Sequence, residues 1–129
     1  MKSRWIEYKG KRILYIDVSN FFDNSRALEQ EMTELGATAE QELYSKPLHS
    51  ALVLVDLRNT TMTQTAQKLV VNRITDTKKY IALTAVVGMT GIRKMFLDFF
   101  GRLAGSVTGS FEEPEAAKEW LVSLNETVK

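Results

Sequence analysis

Two largely apolar runs rich in leucine and β-branched residues, "ALVLVDL" at 51–57 and "YIALTAVVG" at 80–88, constrain this chain most. Neither alternates with polar residues, so each predicts a strand covered on both faces. The segment between them, "TQTAQKLVVNRITDTKKY", carries Ala66, Leu69, Val70 and Ile74 at helical spacing. A buried strand, an amphipathic helix and a second buried strand make a crossover unit, which implies parallel pairing and a right-handed connection.

The flanking segments extend the pattern. Residues 5–8 and 12–18 read as two strands around "KGK", where Gly10 can take a positive φ and close a hairpin. Next, Leu28, Met32, Leu35, Ala39 and Leu43 recur at spacings of three and four, predicting one helix with Asp23, Asn24 or Ser25 as its cap and Gly36 as a bend or break. After the second buried strand, "TGIRKMFLDFFGRLAG" predicts a helix with Ile92, Phe96, Phe99 or Phe100, and Leu103 along one stripe. "SVTGSF" reads as a short last strand. Pro114 opens a final helix whose inner face carries Ala117, Trp120, Leu121 and Leu124. The order is β-β-α-β-α-β-α-β-α, an α/β fold with a mixed, mostly parallel sheet of about five strands and an antiparallel first edge.

A length of 129 residues suits a single domain, 1–129, able to bury a core without staples. Cysteine is absent, which excludes disulfides, zinc thiolates and cysteine nucleophiles. The charged start and the lack of a long apolar run point to a soluble cytoplasmic protein. The net charge of +1 argues against nucleic acid as a partner. The charges are segregated: 1–12 carry five basic residues and one acidic, and 23–42 carry six acidic and one basic. Such stretches are ordinarily solvated faces; the sharper reading is an acidic helical face for a basic partner.

Candidates for chemistry are few, and no cofactor or metal is implied. The one histidine, His49, precedes a strand, at the amino end of the sheet, where open α/β sheets rarely bind ligands. Asp17 and Asp56 each end a strand. They could build a metal-assisted phosphoryl site, but a third carboxylate and a matching lysine are missing, so the favoured reading is that each caps a following turn. The turn at 88–91 admits two readings. It is either a tight strand-to-helix turn capped by Thr90, or a weak anion site of backbone amides at Gly88, Thr90 and Gly91 reinforced by Arg93 and Lys94.

Several stretches resemble a known family. "ILYIDVSNFFDNSRALEQEM" and "LVLVDLRNTTMTQTAQKL" are similar to the strand–loop–helix units of STAS domains, the anti-sigma factor antagonist and sulphate-transporter module. "KKYIALTAVVGMTGIRKMF" and "FEEPEAAKEWL" look like the small bacterial STAS-like branch grouped with the CRAL-TRIO lipid-binding fold. The resemblance implies a non-enzymatic, regulatory protein-binding module whose partner surface includes Asp56, Asn59, Thr63, Gln64 and Thr65. Phe99 admits two readings: with Met95 it forms an exposed partner or membrane-surface patch, or it is buried against the final helix through Trp120. The family's phosphorylated serine is matched here by Gln64, which has no hydroxyl, so the phosphoswitch itself does not carry over. The alternative is a carrier of a lipid or small apolar ligand in a pocket under the 92–103 helix. A homodimer is compatible with either reading.

Overall fold

The computed structural model describes residues 1–88 and 107–127. Strands β1 (Arg4–Tyr8) and β2 (Lys11–Asp17) form the expected hairpin. Its two-residue turn takes φ 50° at Lys9 and 81° at Gly10, the left-handed pair that matches strand twist in a tight hairpin. Helix α1 (Ser25–Ala37), strand β3 (Ala51–Asp56), helix α2 (Gln64–Thr75), strand β4 (Ile81–Val87), strand β5 (Val107–Phe111) and helix α3 (Pro114–Thr127) follow. Short 3-10 helices at Ala39–Ser45 and Lys78–Tyr80 lead into β3 and β4.

The five strands lie in sequence order, β1-β2-β3-β4-β5, with only β1 antiparallel. The chain therefore steps in one direction from β2 to β4. Right-handed crossovers taken in one direction put their helices on one face. Accordingly Leu28, Met32 and Leu35 of α1 and Val70, Val71 and Ile74 of α2 pack on Leu14, Ile16, Val53, Val55 and Val86. The opposite face, with Ile13, Tyr15, Leu52, Leu54, Ala85 and Val87, is covered by Ala117, Leu121 and Val122 of α3. Trp120 of α3 packs on Phe111 with ring centroids 5.4 Å apart. Every residue of β3 is buried, as its unbroken apolar run requires.

The amphipathic segment after the hairpin is two elements rather than one helix. Asn24 caps α1 through its side chain, which accepts from the Ala27 amide. The helix then ends at Ala37, and Thr38 breaks it at φ −127°, ψ −85° before the 3-10 turn that buries Leu43. Gly36 stays helical. Its role is space: a Cβ there would stand 2.2 Å from an Arg73 terminal nitrogen. Two carboxylates inside this layer have distinct partners. Glu31 accepts from the Ser3 amide at 2.7 Å and the Lys2 amide at 3.0 Å, tying α1 to the start of β1. Glu40, 1% exposed, meets Arg73 Nε at 2.7 Å in a charge contact without a well-aligned hydrogen bond.

Burial pushes the Glu40 carboxyl up to about 7, against the opposing pull of Arg73. The folded chain then holds a proton there that the unfolded chain releases near its ordinary value, so this group's contribution falls as pH rises from about 4.5 to 7. Arg73 keeps Asp76 at 2.8 Å if Glu40 is neutralised. Glu40→Gln is therefore expected to be more stable than the parent at pH 8 by about 1–3 kcal/mol, and by little at pH 5. Urea unfolding at both pH values checks this; an equal or reversed difference contradicts it.

Candidate functional site

The carboxyl ends of β2, β3 and β4 gather the polar groups that the sequence singles out. Asp17 and Asp56 sit side by side in the β2–β3 register. Each accepts from the amide two residues on, Asp17 from Ser19 at 3.1 Å and Asp56 from Arg58 at 3.1 Å, so both cap the turn that follows. Asp17 is further held by Arg4 at 3.3 Å and Lys2 at 3.5 Å.

Asp56 is fully buried and fully engaged. The Tyr15 hydroxyl donates to Oδ2 at 2.6 Å, Arg58 Nε donates to Oδ1 at 3.0 Å, and a second Arg58 nitrogen donates to Oδ2 at 2.8 Å. Burial alone would raise the Asp56 carboxyl; the hydrogen bonds from Arg58 and Tyr15 outweigh it and hold the group below the usual carboxylate range. The Tyr15 phenol moves up through burial and its bond to Asp56, and the Arg58 guanidinium moves up chiefly through the same carboxylate. Arg4 lies over the Tyr15 ring at 4.6 Å, closing a network in which every anion already faces a cation. Asp56 thus does not present a carboxylate to a partner surface; it anchors that surface from beneath.

Gly88 lies against this network through Arg58. At φ 85°, with a Cβ position 2.8 Å from the Arg58 amide nitrogen, only glycine fits. Its own N–H donates to the Phe111 carbonyl at 3.0 Å, so it is not offered to a ligand. Thr90, Gly91, Arg93, Lys94 and Phe99 lie outside the described residues, as does the whole 92–103 segment. His49 is exposed at the amino end of β3, with φ 56° and its amide bound to the Lys79 carbonyl.

Above the network the two loops after β2 and β3 continue the pairing of their strands. Val18 N donates to Asp56 O, Asn20 N to Arg58 O, Phe22 N to Asn59 O, and Thr61 N to Phe22 O, all at 2.7–2.9 Å. The Thr60 hydroxyl accepts from Phe21 N and donates to the Val18 carbonyl. Asn20, Phe22 and Asn59 all lie in the left-handed region, at φ 62°, 54° and 59°. Asparagine tolerates that conformation; for phenylalanine it is strained, at about 1–2 kcal/mol. Phe22 is nevertheless 61% exposed, while its neighbour Phe21 packs on the core.

Asn59, Thr63, Gln64 and Thr65 are all exposed, and Asn59 and Thr63 lie next to Phe22. Thr63 is the cap of α2, its hydroxyl accepting from the Ala66 amide at 3.1 Å. Tyr15, Arg58, Asn20 and Phe22 are the residues that sequence reading missed. The "DLR" spacing carried a signal for Arg58; nothing in the polar stretch "SNFFDN" told Phe22 from its neighbour Phe21.

Among the described residues no group of three His, Cys, Asp or Glu side chains could hold a metal ion, and no helix is long and apolar enough to cross a membrane. A groove of about 560 Å³ runs between α1 and the start of α2, with the polar residues Ser25, Glu29, Thr33, Glu34 and Thr65 on its walls. Asp56 stabilises the fold fully above about pH 4 and loses that effect as pH falls through its depressed folded value. Tyr15→Phe removes a buried donor from it. The expected cost is about 1–3 kcal/mol at pH 7, with acid unfolding beginning at higher pH. Unchanged urea and acid midpoints contradict the assignment.

Comparison with known protein families, with characterised proteins and with solved structures finds no match to this chain.

Proposed function

We propose that this protein is a non-enzymatic binding module that docks another protein on the carboxyl-end platform formed by Phe22 and residues 59–65. The observation that carries the proposal is Phe22 itself, an exposed aromatic held in a strained conformation by hydrogen bonds on both sides. Strain of this kind persists only where surrounding structure enforces it, and it clusters at binding and catalytic sites. An aromatic fixed before binding loses little entropy when it is covered, which suits an interface anchor.

Two further features support binding over catalysis. Asp17 and Asp56 are neutralised internally, so neither stands ready as a base or nucleophile. The described strands run in chain order, so they contain no reversal of strand order, the place where open α/β sheets form a ligand crevice. The likeness of 13–32 and 52–69 to STAS domains supports the same surface, because that family meets its partners through this loop and the helix after it. With Gln64 at the family's serine position, control by partner availability fits better than control by phosphorylation at that position.

A photo-crosslinking amino acid placed at position 22 or 64 in living cells is expected to give one discrete protein adduct, absent when the same group replaces exposed Glu7 on the edge strand. Phe22→Asn is expected to weaken binding of that protein at least about ten-fold. The same change is expected to alter stability by no more than about 1 kcal/mol, since relief of the strain offsets the loss of Phe22's partial burial. Equal adducts from position 7, none from 22 and 64, or an affinity unaffected by Phe22→Asn contradict the proposal.

A further inference from the structure

The opposite end of the sheet has a different character. The segments leading into β2, β3 and β4 lie at one edge because those strands are parallel. Backbone hydrogen bonds join them, His49 N to Lys79 O at 2.9 Å and Ser50 N to Tyr80 O at 3.1 Å. Tyr44 and Tyr80 meet edge to face at 5.4 Å. Lys46 and Arg12 both lie over the Trp5 ring, at 5.2 and 5.0 Å. A hollow of about 260 Å³ brings Lys11, Arg12, Lys46, Pro47 and Ser50 to one opening.

The surface so formed has an apolar tip and a basic surround. Leu48 is 60% exposed and Tyr44 46%, with exposed Pro47 between them in the chain. Around them stand Lys11, Arg12, Lys46, Lys78 and Lys79. The acidic groups near this end are Glu42, which binds Arg12 at 2.7 Å and Lys46 at 3.6 Å, Asp76, which binds Arg73, Glu7, opposite Arg12 in the hairpin register, and Glu119, which binds Tyr8 and Lys9 at the hairpin turn. Lys11, Lys78 and Lys79 have no acidic partner among the described residues. In a chain of net charge +1 this is a local concentration of positive charge.

We infer that this amino-end surface docks on an anionic lipid membrane, with Leu48 and Pro47 entering the headgroup region and the lysines meeting lipid phosphates and carboxylates. An exposed leucine beside a tyrosine and a ring of lysines matches the interface between acyl chain and headgroup, where tyrosine is favoured and long cationic stems reach outward. A soluble acidic protein would satisfy the charge alone and leave Leu48 without a role. The surface lies at the end of the sheet opposite Phe22, so a lipid-bound molecule keeps its proposed protein-binding platform facing away from the membrane.

Co-sedimentation of the whole chain with vesicles tests this. Binding is expected to phosphatidylcholine vesicles containing about one-third phosphatidylserine and not to pure phosphatidylcholine, and it is lost between about 100 and 500 mM salt. The pair Lys78→Gln and Lys79→Gln is expected to weaken binding roughly 25-fold, about five-fold for each charge. Leu48→Ser weakens it about three-fold or more through lost apolar burial. All three side chains are exposed, and unchanged thermal unfolding of the variants confirms that they fold. No binding to the anionic vesicles, equal binding to both kinds, or insensitivity to the lysine pair overturns the inference. Binding indifferent to Leu48→Ser and competed by soluble polyglutamate overturns it in favour of an acidic protein.

Discussion

Strand β3 has no exposed residue, and the rest of the molecule is arranged around that fact. A strand apolar on both faces needs cover on both. The chain supplies it by stepping always in one direction, so that α1 and α2 fall on one face and α3 closes the other. The same stepping carries the loops after β2 and β3 to one end of the sheet as neighbours. There they pair with each other instead of spreading into solvent, and that pairing builds the Phe22 platform.

Ending a buried strand with an aspartate sets up the second dependency. Asp56 sits where water cannot solvate it, so its charge is kept by donors from Tyr15 on the neighbouring strand and from Arg58 in the turn that follows. Arg58 in turn lies against Gly88, where a side chain would collide with it. Glu40 is the contrasting case. Its contact with Arg73 lacks aligned hydrogen bonds, and burial wins. Two buried carboxylates in one domain thus respond oppositely to pH, and the difference lies in the hydrogen bonds they receive rather than in their exposure.

The strand and helix pattern was legible in the sequence because period and burial are local properties. The runs 51–57 and 80–88, the hairpin glycine and the proline opening α3 are all where their chemistry puts them. The turn-capping of Asp17 and Asp56 was equally readable, since each capped amide is two residues away. Long-range relations were not. Tyr15 meets Asp56 across 41 positions, and Gly36 makes room for Arg73 of another helix, which spacing within one segment cannot reveal. The break after Ala37 escaped for the same reason, as Leu43 keeps a helical spacing while lying in a 3-10 turn. Phe22 was hidden by its neighbour: two adjacent phenylalanines suggest a core, and only the left-handed backbone sends the second outward.

A preset Phe22 anchor requires the carboxyl-end loops to be a rigid platform and not ordinary surface loops. Amide hydrogen exchange measures this directly. The amides of Val18, Asn20, Phe22 and Thr61 are predicted to exchange nearly as slowly as those of β3, because each is bonded across the two loops above a buried network. If Asn20, Phe22 and Thr61 instead exchange at rates close to those of an unstructured chain while β3 stays protected, the platform does not exist, and the account of Phe22 as a preset anchor is wrong.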